Sequence, residues 1–474
     1  MEAPFIGAAY QARSVNVNAQ QCINLYPEIE QTGKVVTSLY GTPGLRLFCT
    51  AGIGPINGVH TVSALNRLFA ASGTNFYEIN SAGVATLRGT GLYGTRPVSM
   101  ADNGLQIFVA DGANGWIFTL ATNVWAQITD PDFPGASDVD YQDGYFIFTK
   151  PASQQFYITK LLDGFNVNAL DFASAEGNPD GLVGLIADHR ELWLFGEVST
   201  EIWFNSGAAA FPFERLSGAF LEHGCAAKKT IAKMDNTVFW LGQDTTGNGI
   251  IFRAQGYSSQ RMSTHAVELA INRYPRIDDA IAYTYQQEGH SFYVISFPSG
   301  NETWCFDVAT SLWHQRAWFN PVDGSLNRHL SNCHAFFGVN HIVGDWRNGN
   351  LYTLDLNYYQ DNGAILKRVR TAQHLSNGRL NTRFQSFEVE LESGVGLATG
   401  QGSDPQIMLQ WSDDGGHDYG NEHWSSMGAV GKYKYRAIWR RLGYARDRVF
   451  KVEISDPIKV VFVQGDLKFS VGNT

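Results

Sequence analysis

Five arginines crowd the stretch YRAIWRRLGYARDRVFKVEISDP, residues 435–457, where Arg436, Arg440, Arg441, Arg446 and Arg448 sit among Trp439, Leu442, Val449 and Ile454. Guanidinium groups at this density suit phosphate contacts, ion pairs with carboxylates, or stacking on aromatic rings. Asp447, Glu453 and Asp456 are interleaved with them, and from residue 384 onward ten basic residues face twelve acidic ones. A nucleic-acid patch carries a basic excess; this region has none. The composition instead predicts cross-strand pairs with carboxylates and stacking on Trp439 and Tyr444, on one wall of a folded domain with docking potential. Trp439, Arg440, Arg441, Arg446 and Arg448 are the expected interaction residues.

Other motifs read as turns. GTGLYG (89–94) matches GxGxxG, but the strand-like TRPVSM follows it where a dinucleotide site requires a helix. SDDGGHDYG (412–420) resembles the Asp-box of sialidase-type propellers, SxDxGxTW, with Ser412, Asp414 and Gly416 in register and Asp418 and Tyr419 in place of the threonine and tryptophan. Such a box is a hairpin turn in which a short carboxylate holds backbone amides and glycine takes positive φ. The spacing of Asp413, Asp414 and Asp418 does not match a calcium loop. Twelve histidines are scattered without HExxH, and His329, His334 and His341 are close only along the chain. No nucleophile–base arrangement stands out, so no catalytic residue, metal site or cofactor is expected.

The elements that hold these residues repeat. Strands RLFAASG (67–73), QIFVADG (106–112), YFIFTK (145–150), ELWLFGE (191–197), TVFWLGQ (237–243), SFYVISF (291–297) and NHIVGDW (340–346) are each followed by a turn and a second aromatic strand such as NFYEI (75–79) or EIWFN (201–205). With Phe69, Phe108, Phe146, Trp193, Phe239, Tyr293 and Ile342 as anchors, the steps are 39, 38, 47, 46, 54 and 49 residues. A unit of this length with three or four strands is the mark of a β-propeller blade. Both faces of most strands are apolar, so each small sheet needs cover on two sides, which a closed ring provides. Six or seven blades fit, and seven units can be traced. HAVELAINRY (265–274) has helical spacing and stops before Pro275.

Past residue 375 the pattern changes. RFQSFEVELESG (383–394), PQIMLQWSDDGG (405–416), KYRAIWRRLG (434–443), RVFKVEISDP (448–457) and KVVFVQGDL (459–467) predict strands with one buried and one wet face, the habit of a β-sandwich. The expected organisation is all-β: an extended N-terminal arm at 1–50, a β-propeller at 51–372 and a β-sandwich at 373–474. The arm either wraps the body or a neighbouring subunit, or supplies a strand that closes the ring.

The totals agree. Of 474 residues, 13% are aromatic, 49 are glycine and only 17% are charged, which favours strands. The formal charge of −10 argues against a general nucleic-acid binder. Five dispersed cysteines without a CxxC pair predict reduced thiols in a cytoplasm-like compartment. MEAPFIGAAYQARS lacks the features of a secretory signal, and no apolar run is long enough to predict a membrane span.

GTPGL (41–45), EGNPDGLVGLIADHRELWLFGEVSTEIWFNSG (176–207) and the pair WRRLG with RDRVFKVEISDP together resemble the packaged-DNA stabilisation proteins of short-tailed bacteriophages, also called tail accessory factors or tail hub (nozzle) proteins. The resemblance covers most of the chain, in similar order. It implies a late, non-enzymatic structural protein of the virion tail, put together in the host cytoplasm. It also implies a homohexamer below the portal–adaptor (head-to-tail connector) ring that prolongs the DNA channel, helps retain the genome, and carries tailspikes or tail fibres and a needle or plug. Genomic DNA would make only passing contact, along a channel whose walls are net negative or neutral. The alternative is a glycan-binding or sialidase-like propeller. A WD-type scaffold would show recurring Gly-His and Trp-Asp pairs, which are missing.

Overall fold

The computed structural model describes residues 2–30 and 32–472. Apart from the helix His265–Ile271 and two short 3-10 turns, its elements are strands. The helix begins where Thr264 accepts the Val267 amide and is shorter than the helical spacing to residue 274 predicts.

Seven antiparallel sheets follow one another from residue 44 to residue 355. The first runs Ile56–Val62, Arg67–Ser72, Asn75–Ile79, Ala85–Thr90, each strand pairing with the next. In the fourth, LWLFG at 192–196 is buried at every residue, so alternation is absent and both faces are covered. Fully burying one such aromatic or aliphatic side chain contributes about 1.5–3 kcal/mol. The cover comes from neighbouring sheets. Phe69, Phe76 and Phe118 pack between the first and second, and Phe108, Phe146 and Phe148 between the second and third. Phe156, Leu194 and Trp203 lie between the third and fourth; Phe195 and Trp240 between the fourth and fifth. Phe239 and Tyr293 join the fifth to the sixth, and Phe292 and Tyr352 the sixth to the seventh. Ile342 and Leu351 of the seventh pack on Ile56 and Leu68 of the first, which brings the ring round to its start.

The first fifty residues divide between two duties. Gly44–Thr50 is the fourth strand of the seventh sheet, antiparallel to Asn350–Asp355 with Leu45 opposite Leu354, and the short Gln360–Asp361 pairs parallel on its other side. Gly44 lies so close to the Tyr358 and Gln360 carbonyls that any side chain would collide with backbone. Residues ahead of it serve the sandwich. Ala19–Ile23 pairs parallel with the sixth sheet's outer strand, Leu312–Phe319, and antiparallel with Arg368–Thr371. Arg368–Thr371 continues through Asp447–Ile454 to Gln406–Ser412, so one continuous sheet ties propeller to sandwich. The opposing sheet orders Leu25–Ile29, Thr37–Gly41, Val461–Val471, Thr382–Leu391 and Ala437–Arg440. Between the two layers Phe387 stacks on Phe450 with centroids 4.4 Å apart, and Phe5 meets Phe387 and Phe462 edge-on.

The chain crosses from one sandwich layer to the other at Asn24, in left-handed backbone geometry (φ 54) and fully buried. Its amide donates to the Ala317 and Lys367 carbonyls, both at 2.8 Å, and its oxygen accepts the Ala317 amide at 2.9 Å. Arg370, also fully buried, donates to the carbonyls of Phe5 (2.6 Å), Ala8 (3.0 Å) and Gln21 (3.1 Å) and to the Gln20 side chain. Two side chains thus fasten the N-terminal segment across the domain junction. Four of the five cysteines are buried, Cys333 is partly so, and all five thiols are free, with burial raising each above its ordinary pKa.

Two predictions follow from this packing. Asn24→Ala removes three buried hydrogen bonds and puts at positive φ a residue that adopts the left-handed region less readily than Asn, so unfolding free energy should fall by about 4 kcal/mol; a loss under about 1 kcal/mol in denaturant titration would show that the junction does not depend on it. His329 is buried, its Nδ1 lies 2.6 Å from the Ser331 hydroxyl, and its pKa is pushed down to about 3 by burial and then by the nearby Arg316 charge. A base whose folded pKa lies below its unfolded value favours folding above that unfolded value, near 6.5, and opposes it as pH falls toward 3. The stability lost between pH 7 and pH 4 should therefore be smaller in His329→Gln than in the native chain, and an unchanged pH slope would contradict the assignment.

Candidate assembly surface

The arginine-rich stretch lies in both layers of the sandwich. Ala437–Arg440 pairs with Thr382–Leu391, placing Ala437 and Trp439 inward and Ile438 and Arg440 outward. Trp439 stacks on Phe387, and its indole donates to the His423 carbonyl at 2.8 Å, so it belongs to the core. Arg440 is exposed, opposite Ser386 and beside Lys468 and Asp466 on the outward face. Arg436 extends that row and grips Glu388 through Nε and Nη2, Nε at 2.6 Å from Oε1. The Arg436 charge holds the Glu388 carboxyl below its ordinary pKa, its hydrogen bond being the largest cause.

The chain then turns. Arg441 takes positive φ (62) and donates its amide to the Gln385 carbonyl, leaving its side chain exposed. Arg446 is exposed in the next turn, beside Tyr444, over whose ring the Arg383 guanidinium sits at 5.9 Å. Arg448 goes the other way. It is buried, donates to both carboxylate oxygens of Asp413 at 2.6 and 2.7 Å and to the Leu442 carbonyl, and lies 4.5 Å over the Phe384 ring. The carboxylate pairing expected for these arginines exists at Arg436 and Arg448. The stacking partners differ from expectation: Arg448 covers Phe384 and Trp411, and Tyr444 receives Arg383.

Arg440, Arg441 and Arg446 are thus exposed, whereas Trp439 and Arg448 face inward and are buried. Sequence reasoning missed Trp424, Tyr433 and Tyr435, large rings exposed on the same domain, and the Glu388–Arg436 pair that organises its outer face. The i, i+2 spacing of Arg436, Ile438 and Arg440 is the signal that marks that face. A wall of exposed arginines and aromatic rings with paired carboxylates has the composition of a protein–protein contact.

The motifs set aside as turns take these forms. Asp414 accepts the His417 and Asp418 amides, and Ser412 bridges Asp414 and the Gly416 amide, closing the hairpin after Gln406–Ser412. Gly91, at φ 103, backs onto Trp116 in the loop that carries GTGLYG. His334 and His341 do meet, ring nitrogens 3.1 Å apart, while His329 bonds Ser331 instead. Among the described residues no group of three or more His, Cys, Asp or Glu could hold a metal ion, and no helix is long and apolar enough to cross a membrane.

Residues 1–359 match the family model described as bacteriophage P22 Gp10, beta-propeller, and residues 367–470 the model described as bacteriophage P22 Gp10, beta-sandwich. No curated protein matches. Similar solved structures include the N-terminal domain of Nup159 (8% identity, TM-score 0.42, 71% of this chain and 98% of that one). The extracellular domain of BT4673 from B. thetaiotaomicron (10%, 0.45, 90% and 60%) and the Neurospora crassa Pan2 WD40 domain (7%, 0.41, 64% and 89%) are others. At these TM-scores they bear on neither blade number nor function. The two family models, in chain order, cover the ring and the sandwich, and the chain belongs to the bacteriophage P22 Gp10 family of packaged-DNA stabilisation proteins, structural proteins of the phage tail.

Proposed function

We propose that this chain is the hub, or nozzle, of a short tail, built from seven-bladed subunits. Six copies form a ring below the portal–adaptor, prolong the DNA channel, help retain packaged DNA, and anchor tailspikes or fibres and a needle. Assembly takes place in the host cytoplasm, and the role is carried by surface complementarity rather than catalysis. The observation that carries this reading is the ordered match of both domains to one tail-protein family. The outward row Arg436–Ile438–Arg440 and the exposed Arg441, Arg446 and Tyr444 support the sandwich as a docking wall.

Mixing the purified chain with portal–adaptor rings tests the proposal. Native mass spectrometry should find six copies per ring; a chain that stays monomeric beside intact rings would sink the reading. Within that assay, Arg440→Glu and Arg446→Glu should weaken ring binding about tenfold or more while changing stability by no more than about 0.5 kcal/mol. Asp413→Asn should do the reverse, costing about 3 kcal/mol of stability by stranding the buried Arg448 cation, with docking intact wherever the chain folds. A second expectation concerns the assembled ring: its lumen should be net negative or neutral, because a basic lumen would hold the DNA backbone through counterion release. A hexamer whose bore is lined mainly by arginine would refute it.

A further inference from the structure

One end of the propeller axis holds a cavity of about 550 Å³. Its walls are the segments just ahead of the innermost strands of the first, second, fifth, sixth and seventh sheets, together with the turns at Gly112, Pro298 and Trp346. Five cations line it: Arg96, Lys228, Lys229, Arg276 and Arg328. The carboxylates are fewer. Asp278 is taken by Arg276 at 2.6 Å, and Asp279 accepts from the Ser299 amide and hydroxyl through one oxygen, its other oxygen being buried and unpartnered. Behind the wall, Asp138 lies 3.5 Å from Lys229. The lining carries five cations and two carboxylates, with Asp138 and Asp345 behind it, so positive charge is in excess, in a chain whose net charge is −10.

Polar atoms of the lining residues, buried behind its surface, are also unfinished among the described residues. Arg328 is 8% exposed, its Nη1 is buried without a hydrogen-bond partner, and its guanidinium lies 4.1 Å over the Trp346 ring. The Trp346 indole nitrogen and the Asn332 side-chain oxygen, both on the same wall, are buried and unpartnered too. Asp345, whose charge reaches Arg328, is occupied by the Arg347 amide and the Tyr352 hydroxyl. Lys228 donates to the Ser137 carbonyl at 2.7 Å, and burial and then the Lys229 charge push its pKa down to about 8 against the pull of Asp138. Buried donors without acceptors and cations without anions are normally completed by something bound.

We infer that this axial mouth binds a phosphate group, held by Arg328, Lys228 and Arg96. The excess of positive charge along the wall calls for an anion. Arginine forks and lysine ammoniums from several loops also suit an acceptor with oxygens on all sides. The cavity admits a phosphate with one sugar attached, so the group can be the free ion or a phosphomonoester; a duplex is far too wide for it. The site is independent of the sandwich wall and of the hub reading.

The test is calorimetric titration of the full chain with sodium phosphate at pH 7.5 and constant ionic strength, with ribose 5-phosphate, sodium acetate and sialic acid as parallel arms. Saturable phosphate binding is expected, weakened about tenfold or more in Arg328→Gln and in Arg96→Gln and unchanged in Arg440→Gln. Arg96 is exposed, so its variant keeps the fold and decides the matter should Arg328→Gln fail to fold. Ribose 5-phosphate binding as tightly as phosphate identifies a phosphomonoester, and binding of the inorganic ion alone identifies the free anion. The inference is overturned by non-saturable heats, by acetate or sialic acid binding as well as phosphate, or by Arg96→Gln binding phosphate like the native chain.

Discussion

Everything in this molecule depends on sheets that are apolar on both faces and too small to hide either one. Leu192 to Gly196 are buried without alternation, and each of the seven sheets buries comparable runs against two neighbours. A stack of such sheets would leave two oily ends; a ring leaves none. The ring must then be closed, and the strand that does so, Gly44–Thr50, comes from the other end of the chain, some 300 residues from its partner. Pairing at that separation forms late, because loop closure is costly before the contacts that reward it exist. The segment ahead of the closing strand therefore needs its own fastening.

Arg370 and Asn24 supply it. Among the described residues Arg370 has no carboxylate partner, and its guanidinium donates to three carbonyls of the arm and one amide side chain. Burial draws its pKa down to about 10, so it remains a cation, and a buried cation with this set of acceptors tolerates only one arrangement of residues 5–21. Asn24 does the same for the crossing point between sandwich layers. Hydrophobic burial gives the two domains their stability, while these polar clamps select which strand lies beside which. A slip of one residue would leave several buried carbonyls unpaired.

Repeated strand pairs are legible in the sequence because each pair is local: two aromatic runs and a turn suffice, and the anchors Phe69 to Ile342 fall in successive sheets. The N-terminal segment is not legible in that way. GLRLFCT reads as a strand, but nothing in it names a partner three hundred residues away. Arg368–Thr371 pairs in the sandwich for the same reason, although it falls before residue 373. The arginines expose a second limit. Alternation separates Arg440 from Trp439, yet it fails at residues 448–450, where Arg448, Val449 and Phe450 are all buried, because the fate of Arg448 is set by Asp413 in another strand. The axial cluster has no sequence signal at all: Arg96, Lys228 and Arg328 meet only because three sheets point their inner ends at one axis.

Charge placement joins these features to a tail protein's task. In the hub proposed above, the channel must not bind the DNA it lets pass, and phosphate affinity rises with each unpaired lysine or arginine on offer. This chain carries 35 such residues but keeps many of them engaged. Arg448 is neutralised by Asp413, Arg436 by Glu388 and Lys459 by Glu392, while Arg370 is buried beyond reach. Pairing on an exposed face contributes little stability, of order 0–1 kcal/mol each. Its value lies in specificity: a face of alternating charges accepts one complementary partner and repels a uniform polyanion. The axial mouth escapes this rule without harm, since its cations line a cavity too narrow for a duplex.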